Sequence, residues 1–249
     1  TRYLLGETMS DYVLGQAAKA KLMRISTASI ATALFKRGLR NQYVQGVGPI
    51  SRKPGNMVGQ AFTLRYIPAR EDRNEISVFH NEDHPQRRAV EQCPRGHVLV
   101  MDSRKDARAA SAGSILVTRL QVRGCAGVVT DGGFRDAETI GALDIPAFHQ
   151  RPSAPTNLTL HEAIEINGPI GCADVAVFPG DVIVGDYESV IVIPAEIADE
   201  VSKEAVEMTA YEDFVVEQVK GGATIIGLYP PTDETNLARF ETWRKENNR

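Results

Sequence analysis

Residues 124–136 read GCAGVVTDGGFRD and decide the fold class. Residues 125–130 form a short apolar run of the kind that predicts a buried strand. Asp131, Gly132 and Gly133 follow directly and predict a turn. In open α/β sheets, the carboxyl ends of the strands form the crevice in which ligands bind. The stretch therefore predicts a buried strand that delivers a polar, glycine-rich turn to such a crevice.

The segments on either side of this stretch alternate between strand and helix patterns. Residues 97–102 and 145–148 are short apolar runs that predict strands, and residues 114–122 have apolar positions at helical spacing. Residues 136–143 predict a short helix or turn. Because strands separated by helical crossovers pair in parallel, the order predicts an α/β architecture with a parallel sheet.

The amino-terminal part of the chain leaves one alternative open. Residues 11–38 have helical spacing throughout and predict one helix. Ser26 is instead a plausible cap for a second helix within this stretch. Residues 61–67 alternate in polarity and predict a strand.

The carboxyl-terminal part has a different pattern. Residues 174–194 contain short β-branched runs interrupted at residues 179–181 and 185–186, which predicts antiparallel hairpins with tight turns at both places. Residues 195–220 predict a long helix, and the tail over residues 229–249 predicts a polar helix after two prolines.

Composition limits the classes of function. The chain has 249 residues, 43% of them hydrophobic and 24% charged, with a net charge of −4. These values predict one globular domain over residues 1–249, with an amino-terminal helical segment and a carboxyl-terminal tail. The charges are mixed along the chain, which argues against a nucleic-acid partner, and we interpret Arg87 and Arg88 as a solvated helix face.

Cysteine use and hydropathy predict the compartment. The cysteines, Cys93, Cys125 and Cys172, are widely spaced and predict buried, reduced thiols, which suits the cytoplasm. No apolar run approaches the roughly 20 residues that a membrane-spanning helix needs, and no signal peptide opens the chain.

The strongest candidate for chemistry is the turn over residues 131–136. Its two glycines allow a ligand to approach the backbone closely. Arg135 offers a planar fork for a carboxylate, and Asp131 and Asp136 offer oxygen ligands for a hard cation. The alternative is a surface ion pair in an ordinary turn.

A second candidate precedes the helix predicted over residues 114–122. Small residues lie at its start, where free backbone amides bind anions. The amides proposed to do so belong to Gly113, Ser114, Ile115 and Leu116. The alternative is simple capping of the helix by Ser111 or Ser114. Because both candidate segments follow neighbouring strands, we expect them to converge at one end of the sheet.

Histidine supplies no clear site. His149 follows a predicted strand and is a candidate for lining the crevice. No HExxH or comparable set occurs, which argues against zinc.

Three motifs together resemble a known family. GCAGVVTDGGFRD is preceded by AGSIL at residues 112–116 and followed by VFPGDVIVGDYESVIVIP at residues 177–194. In this order and spacing they resemble the RraA-like family, which includes regulator of ribonuclease activity A and the class II 4-hydroxy-4-methyl-2-oxoglutarate aldolases. The resemblance covers residues 26–222. It implies an α/β/α sandwich of the swivelling-domain type with a mixed sheet, assembled into homotrimers or homohexamers with sites between subunits.

The same resemblance implies roles for individual residues. Asp136 would be the direct protein ligand of Mg²⁺ or Mn²⁺ within a water-rich octahedron, and Arg135 would bind the keto oxygen or carboxylate of a 2-oxo acid. Amides near Gly113 to Leu116 would hold the substrate carboxylate. Glu212, from the last long helix of a neighbouring subunit, would approach the metal. Asp131 and Ser114 complete the candidate catalytic set with Arg135.

The chain departs from the family pattern at two positions. Ser114 stands where the family usually has an acid, and Thr139 stands where the aldolases tend to have one. In the aldolases the first of these acids can hold a water that shuttles protons. The substrate or the reaction is therefore expected to differ from that of the named aldolases.

Several functions follow from this resemblance. The leading prediction is a metal-dependent lyase acting on a small 2-oxo acid, by retro-aldol cleavage that releases pyruvate or by oxaloacetate-type decarboxylation. A dehydratase or hydrolase of a sugar-derived 2-oxo acid is an alternative, as is a non-catalytic RraA-like regulator that binds a ribonuclease complex. Arg135 beside Asp136 favours the enzyme, because a pure binding protein needs neither.

Overall fold

A computed structural model describes residues 12–249 of the chain. Asp11, the first residue of the predicted amino-terminal helix, lies outside the described residues. The helices are α1 Gln16–Leu22, α2 Thr27–Lys36, α3 Pro85–Gln92, α4 Ser114–Arg123, α5 Ala137–Ala142, α6 Ala198–Lys220 and α7 Glu234–Glu246. Short 3-10 helices span Ile76–His80, Asn157–Thr159 and Ala195–Ile197.

Strands make up most of the remaining regular structure. They are β1 Tyr43–Val44, β2 Gly48–Pro49, β3 Met57–Pro68, β4 Val98–Asp102, β5 Ala110–Ala112, β6 Gly127–Thr130, β7 Gly133–Phe134, β8 Ala147–His149, β9 Arg151–Pro152, β10 His161–Ile166, β11 Ile170–Cys172, β12 Val175–Val177, β13 Val182–Gly185 and β14 Val190–Ile193.

The main sheet is mixed, with a parallel centre. Its order is β1-β14-β13-β3-β4-β6-β8-β2, and β10 also pairs with β3. The neighbours β3, β4, β6 and β8 run parallel, whereas β1, β2, β10, β13 and β14 join by antiparallel pairing. The prediction of an α/β fold with a mixed sheet is confirmed.

Residues of β3 contribute to three apolar cores, on both sides of the sheet. Val58 and Leu64 face the helices, Val58 in a core with α1, α2 and α6 and Leu64 in a core with α3, α4 and α5. Met57 and Ala61 face the other side of the sheet, where the β11–β12 hairpin completes a third core. Because a strand alternates its side chains, this one long strand anchors all three cores.

Two of the sequence predictions are refined by the structure. The stretch predicted as helical from residue 11 contains two helices, and the Ser26 side chain accepts a hydrogen bond from Ser29 N at 3.1 Å, which confirms the alternative with a second cap. The long carboxyl-terminal helix begins at Ala198, after a 3-10 turn, rather than at Ala195.

The hairpin predicted at residues 179–181 is wrong, whereas the one at residues 185–186 is confirmed. Strand β13 pairs with β14 across the second turn. Strand β12 pairs with β11 instead of β13, so the first turn carries the chain from a small sheet to the main one. The buried Asp181 carboxylate fixes this crossing by accepting hydrogen bonds from Phe178 N at 2.9 Å and Ala195 N at 3.3 Å.

Other global expectations concern the cysteines and the membrane. Cys93, Cys125 and Cys172 are all buried free thiols, as predicted. Among residues 12–249, no helix combines the length and apolar character that crossing a bilayer requires.

Candidate active site

A small parallel sheet brings the two candidate segments together. Strands β5, β7 and β9 pair in parallel, and Ala112 lies opposite Phe134. Each of these residues ends its strand, so the chain continues side by side into Gly113 on one strand and Arg135 on the other. Arg135 N donates to Ala112 O at 3.1 Å and holds this register. The expected convergence is present.

Ser114 and Asp136 are joined directly. The Asp136 Oδ2 atom accepts hydrogen bonds from Ser114 N at 3.2 Å and from Ser114 Oγ at 3.1 Å. Asp136 has a φ of 57° and ψ of 39°, the left-handed conformation that aspartate tolerates better than most residues. This conformation turns the chain sharply after Arg135 and starts α5. The serine therefore orients the carboxylate.

Gly113 is required by the close approach of these side chains. A Cβ atom at Gly113 would lie 2.7 Å from Arg135 Cγ and 3.0 Å from Asp136 Oδ2. Both distances are shorter than van der Waals contact. The absence of a side chain at this position thus sets where Arg135 and Asp136 lie.

Gly113→Ala is expected to lower turnover about 100-fold or more, because a displacement of about 1 Å in a catalytic group can cost that much. The measurement is the steady-state rate at saturating substrate and Mn²⁺. Gly171→Ala is the matched control, since nothing lies within 4 Å of a Cβ there. Wild-type turnover in the Gly113→Ala protein would show that the packing of Gly113 does not set the site.

The converging segments line a cavity of about 340 Å³. A volume of this size is typical of small-molecule sites. Its charged lining residues are Arg87, Arg135 and Asp136, and the other lining residues are Phe79, Gln86, Ala110, Ala112, Gly113, Ser114, Ile115, Leu116, Thr156 and Asn157. With two guanidinium groups and one carboxylate, the cavity attracts an anionic ligand.

Arg135 and Asp136 are only loosely paired. Arg135 Nε lies 3.9 Å from Asp136 Oδ2, and the two side chains are 47% and 43% exposed. An exposed pair at this distance contributes little to stability. Both charged groups are therefore available to a ligand.

Two of the four predicted anion-binding amides are already used. Ser114 N donates to Asp136, and Leu116 N donates to Gly113 O at 3.1 Å. Within residues 12–249, no hydrogen bond engages Gly113 N or Ile115 N. These two amides are the free backbone donors at the start of α4.

Asp131 is separated from the other candidate catalytic residues. Its fully buried carboxylate accepts hydrogen bonds from Ser103 N at 2.6 Å, Ala173 N at 2.9 Å and Lys105 N at 3.0 Å, and it does not line the cavity. Burial raises the pKa of Asp131 to about 6, although the backbone donors oppose the shift. The contacts correct its assignment as a catalytic residue, because they make it a tie between three loops.

Asp131→Asn is expected to lower the free energy of unfolding by about 1–3 kcal/mol, because the new NH₂ group would face a backbone N–H and leave a buried donor unsatisfied. Urea denaturation measures the change. Asp144→Asn is the control, since Asp144 is exposed and its carboxylate bonds to none of the described residues. Equal stability of the two variants would contradict the role of Asp131 as a tie.

Glu212 does not reach the cavity of its own chain. On α6, its Oε2 accepts a hydrogen bond from Ser29 Oγ at 3.0 Å, and its Oε1 accepts one from Tyr229 Oη at 3.2 Å. It is not among the lining residues. Its approach to a metal in a neighbouring subunit stays a prediction.

His149 does not line the cavity either. Its ring stacks on Phe134 with centroids 5.8 Å apart, and burial lowers the pKa of His149 to about 4. The expectation that it lines the crevice is wrong, because its buried ring packs on Phe134 of β7 instead.

Asp136 is the residue that fits a divalent cation. No group of three or more histidine, cysteine or acidic side chains is suited to a metal among residues 12–249. Mg²⁺ does not need such a group, since it keeps several waters and often binds through one or two carboxylates. Oδ1 of Asp136 accepts no hydrogen bond from the described residues, and the side chain lines the cavity. The donor chemistry is therefore compatible with Mg²⁺ or Mn²⁺.

Arg87 is a cavity residue that the sequence patterns did not indicate. The interpretation as a solvated helix face holds for Arg88, which pairs with Asp83 at 2.6 Å on the surface, but is wrong for Arg87, which lines the cavity. The available signal in the sequence was that Arg87 lies three residues before the apolar Val90, which places both on the same side of the helix.

Fold and site together define a mixed α/β protein with a positively charged cavity at the ends of a small parallel sheet. The chain belongs to the RraA-like family: the family model described as RraA-like, Aldolase/RraA, matches residues 27–192.

Curated relatives support this membership. One, from Halalkalibacterium halodurans, is named "Putative 4-hydroxy-4-methyl-2-oxoglutarate aldolase" and is 32% identical over 142 residues, or 57% of this chain and 67% of the relative. An uncharacterized protein of Methanocaldococcus jannaschii is 37% identical over 112 residues, or 44% of this chain and 52% of the relative. The chain thus spans between half and two thirds of the length of these two relatives.

Solved structures agree on the fold. Streptomyces coelicolor RraAS2, described as an unusual member of the RNase ES inhibitor RraA family, has a TM-score of 0.70 and 25% identity, covering 81% of this chain and 96% of that one. An uncharacterized protein from Pseudomonas syringae has a TM-score of 0.73 and 22% identity, covering 87% and 98%. The first likeness extends to the RraA branch of the family, and the second concerns the fold alone.

Proposed function

We propose that this protein is a divalent-metal-dependent lyase that acts on a small 2-oxo acid. The observation that carries the proposal is the cavity in which Arg135, Asp136 and the free amides of Gly113 and Ile115 meet. A planar guanidinium, a carboxylate with an available oxygen and backbone donors are the groups that hold a 2-oxo acid beside a cation. The aldolase named among the relatives supports this direction.

Each residue of the site has a distinct task in this proposal. Asp136 would hold Mg²⁺ or Mn²⁺, which when bound supplies Lewis-acid polarisation of the substrate's keto group. Ser114 orients the Asp136 carboxylate through its two hydrogen bonds. Arg135 donates hydrogen bonds to the oxygen on which negative charge develops as the carbon–carbon bond breaks. The amides of Gly113 and Ile115 bind the substrate carboxylate.

The serine at position 114 favours decarboxylation over retro-aldol cleavage. Retro-aldol cleavage requires a base that removes the proton of the substrate's hydroxyl group. Ser114 supplies no carboxylate, and its hydroxyl donates to Asp136. Loss of CO₂ from a 3-carboxy-2-oxo acid requires no such base, and the carbon that loses CO₂ takes its proton from solvent. Oxaloacetate-type decarboxylation to pyruvate is therefore the reaction that this chain's own residues favour.

The test is pyruvate release by the purified protein with Mg²⁺ or Mn²⁺ from a panel containing oxaloacetate and 4-hydroxy-2-oxo acids. We expect metal-dependent release that a chelator removes, with oxaloacetate turned over fastest. The spontaneous rate with metal alone is the blank. An absence of turnover above this blank across the whole panel would contradict the proposal.

A second candidate is a regulator that binds a ribonuclease. The similarity to Streptomyces coelicolor RraAS2, over 81% of this chain, favours it. Because one fold hosts both activities, the site must decide between them. Capture of a ribonuclease from lysate, together with no binding of Mn²⁺, would favour the regulator.

A dehydratase or hydrolase of a sugar-derived 2-oxo acid uses the same cavity. Product analysis separates these variants from the lyase: loss of water leaves the carbon chain intact, and hydrolysis of a carbon–carbon bond consumes water and yields a carboxylic acid in place of the lyase's CO₂ or carbonyl product. We further propose a homotrimer or homohexamer in the cytoplasm. Light scattering coupled to gel filtration tests the assembly, and a monomer would count against it.

A further inference from the structure

Arg87 is a cation without a counterion in the cavity. It lies on α3 and contributes to the lining together with Arg135 and Asp136. Among the residues described, its guanidinium forms no salt bridge and no side-chain hydrogen bond. Its Nη1 atom is buried and has no partner.

This isolation distinguishes Arg87 from the other arginines with an orphan nitrogen. Arg104 and Arg123 each have one buried unpartnered atom, but Arg104 donates to Leu160 O at 2.8 Å and Arg123 pairs with Glu91 at 3.5 Å. A buried donor left unsatisfied is unfavourable, the more so when it is charged. Because Arg87 also lines the cavity, its guanidinium keeps hydrogen-bonding capacity there that a ligand can use.

The guanidinium of Arg87 is held in place by its neighbours. It lies 3.7 Å from the centroid of the Phe79 ring, which packs edge-on against His84. A cation over an aromatic face is stabilised without its hydrogen-bonding edge being used. Stacking therefore leaves the N–H donors of Arg87 free for an anion.

The helix that carries Arg87 is tied to the opposite part of the site. Gln86 Nε2 donates to Ser111 O at 2.7 Å, and Tyr66 Oη donates to the same carbonyl at 2.8 Å. Ser111 lies two residues before Gly113, where the free amides begin. This contact fixes the position of α3, and hence of Arg87, relative to the amides that bind the first carboxylate.

We propose that Arg87 is the specificity-determining residue that binds the second acidic group of a dicarboxylic 2-oxo acid, such as the oxaloacetate of the proposed function. The inference rests on the proposed function, from which it takes how the 2-oxo acid end of the substrate is bound. In the proposed function, Arg135 and the amides of Gly113 and Ile115 bind that end. Arg87 comes from a different element and offers a planar fork to a carboxylate at the other end of the same molecule.

The experiment measures binding rather than turnover. Calorimetry with Mg²⁺ present compares pyruvate, 2-oxoglutarate and the methyl ester of the distal carboxylate of 2-oxoglutarate. We expect wild-type protein to bind the diacid about 10- to 100-fold more tightly than its ester, as a charge-assisted hydrogen bond allows. Arg87→Gln should remove this difference and leave the affinity for pyruvate unchanged. Arg88→Gln is the matched control and should behave as wild type.

Several outcomes would overturn the inference. These are equal binding of diacid and ester by wild-type protein, an unchanged preference in Arg87→Gln, or an equal loss of pyruvate and diacid binding in that variant. Arg87→Lys keeps the charge and should retain part of the preference. It replaces Arg87→Gln in the test if thermal melting shows that the Arg87→Gln protein is not folded. A diacid preference that depends on Arg87 in a protein without lyase turnover would sustain this inference and refute the proposed function.

Discussion

Asp136→Asn is expected to abolish metal-dependent turnover and to leave the fold intact. A neutral amide is a much poorer ligand than a carboxylate for a hard divalent cation. The metal's contribution is worth several kcal/mol, so we expect a loss of about 1,000-fold or more. The substitution is nearly isosteric, and an amide oxygen can still accept the two hydrogen bonds from Ser114.

Two measurements check this prediction. Turnover at saturating Mn²⁺ gives the rate, and thermal melting verifies folding. Asp144→Asn is the control, because it makes the same chemical change at an exposed carboxylate that does not line the cavity. Full activity in Asp136→Asn would remove the metal from its proposed position, and with it the mechanism.

Arg135→Lys is expected to lower turnover about 100- to 1,000-fold while metal binding is kept. Loss of a donor aimed at the developing negative charge typically costs this much. An ammonium group carries the same charge but cannot reproduce the planar, two-pronged fork of the guanidinium. Because Arg135 Nε is 3.9 Å from Asp136, its replacement leaves the carboxylate's hydrogen bonds to Ser114 in place.

The comparison that tests Arg135 uses the rate and the Mn²⁺ affinity together. Arg70→Lys is the control, since Arg70 is exposed and pairs only with Asp72 on the surface. Ser114→Ala should have a smaller effect than either Arg135→Lys or Asp136→Asn, because Ser114 N can still orient Asp136. A parallel loss of rate and metal affinity in Arg135→Lys would show that the arginine positions the metal instead.

Much of the fold is predictable because local patterns and topology agree here. The apolar run at residues 125–130 becomes the buried part of β6, and the alternation of strands with helices yields the parallel centre of the sheet. The convergence of Ser114 with Asp136 follows from the same logic, since parallel neighbours end on the same side.

Other features depend on contacts that no local pattern encodes. The segment at residues 179–181 contains the residues of a hairpin turn, yet β13 pairs with β3, in a register that places Ile183 opposite Gly59, 124 positions earlier in the chain. Long-range pairing thus overrides local turn chemistry.

The charged residues show the same limit most clearly. Asp131 and Asp136 look alike in sequence. The buried carboxylate of Asp131 accepts hydrogen bonds from three backbone N–H groups, whereas a left-handed backbone conformation directs Asp136 toward the cavity. The adjacent arginines on α3 differ in the same way. Arg87 lines the cavity, whereas Arg88, the next residue along the helix, pairs with Asp83 on the surface. Which charged side chain serves a site is decided by tertiary packing.

Asp136 is proposed to hold the catalytic cation in this cavity. Anomalous diffraction from crystals grown with Mn²⁺ and pyruvate tests it most directly. We expect a manganese peak beside the Asp136 carboxylate, with pyruvate between it and Arg135. A manganese peak at another position in the protein, with the Asp136 carboxylate free of metal, would contradict it.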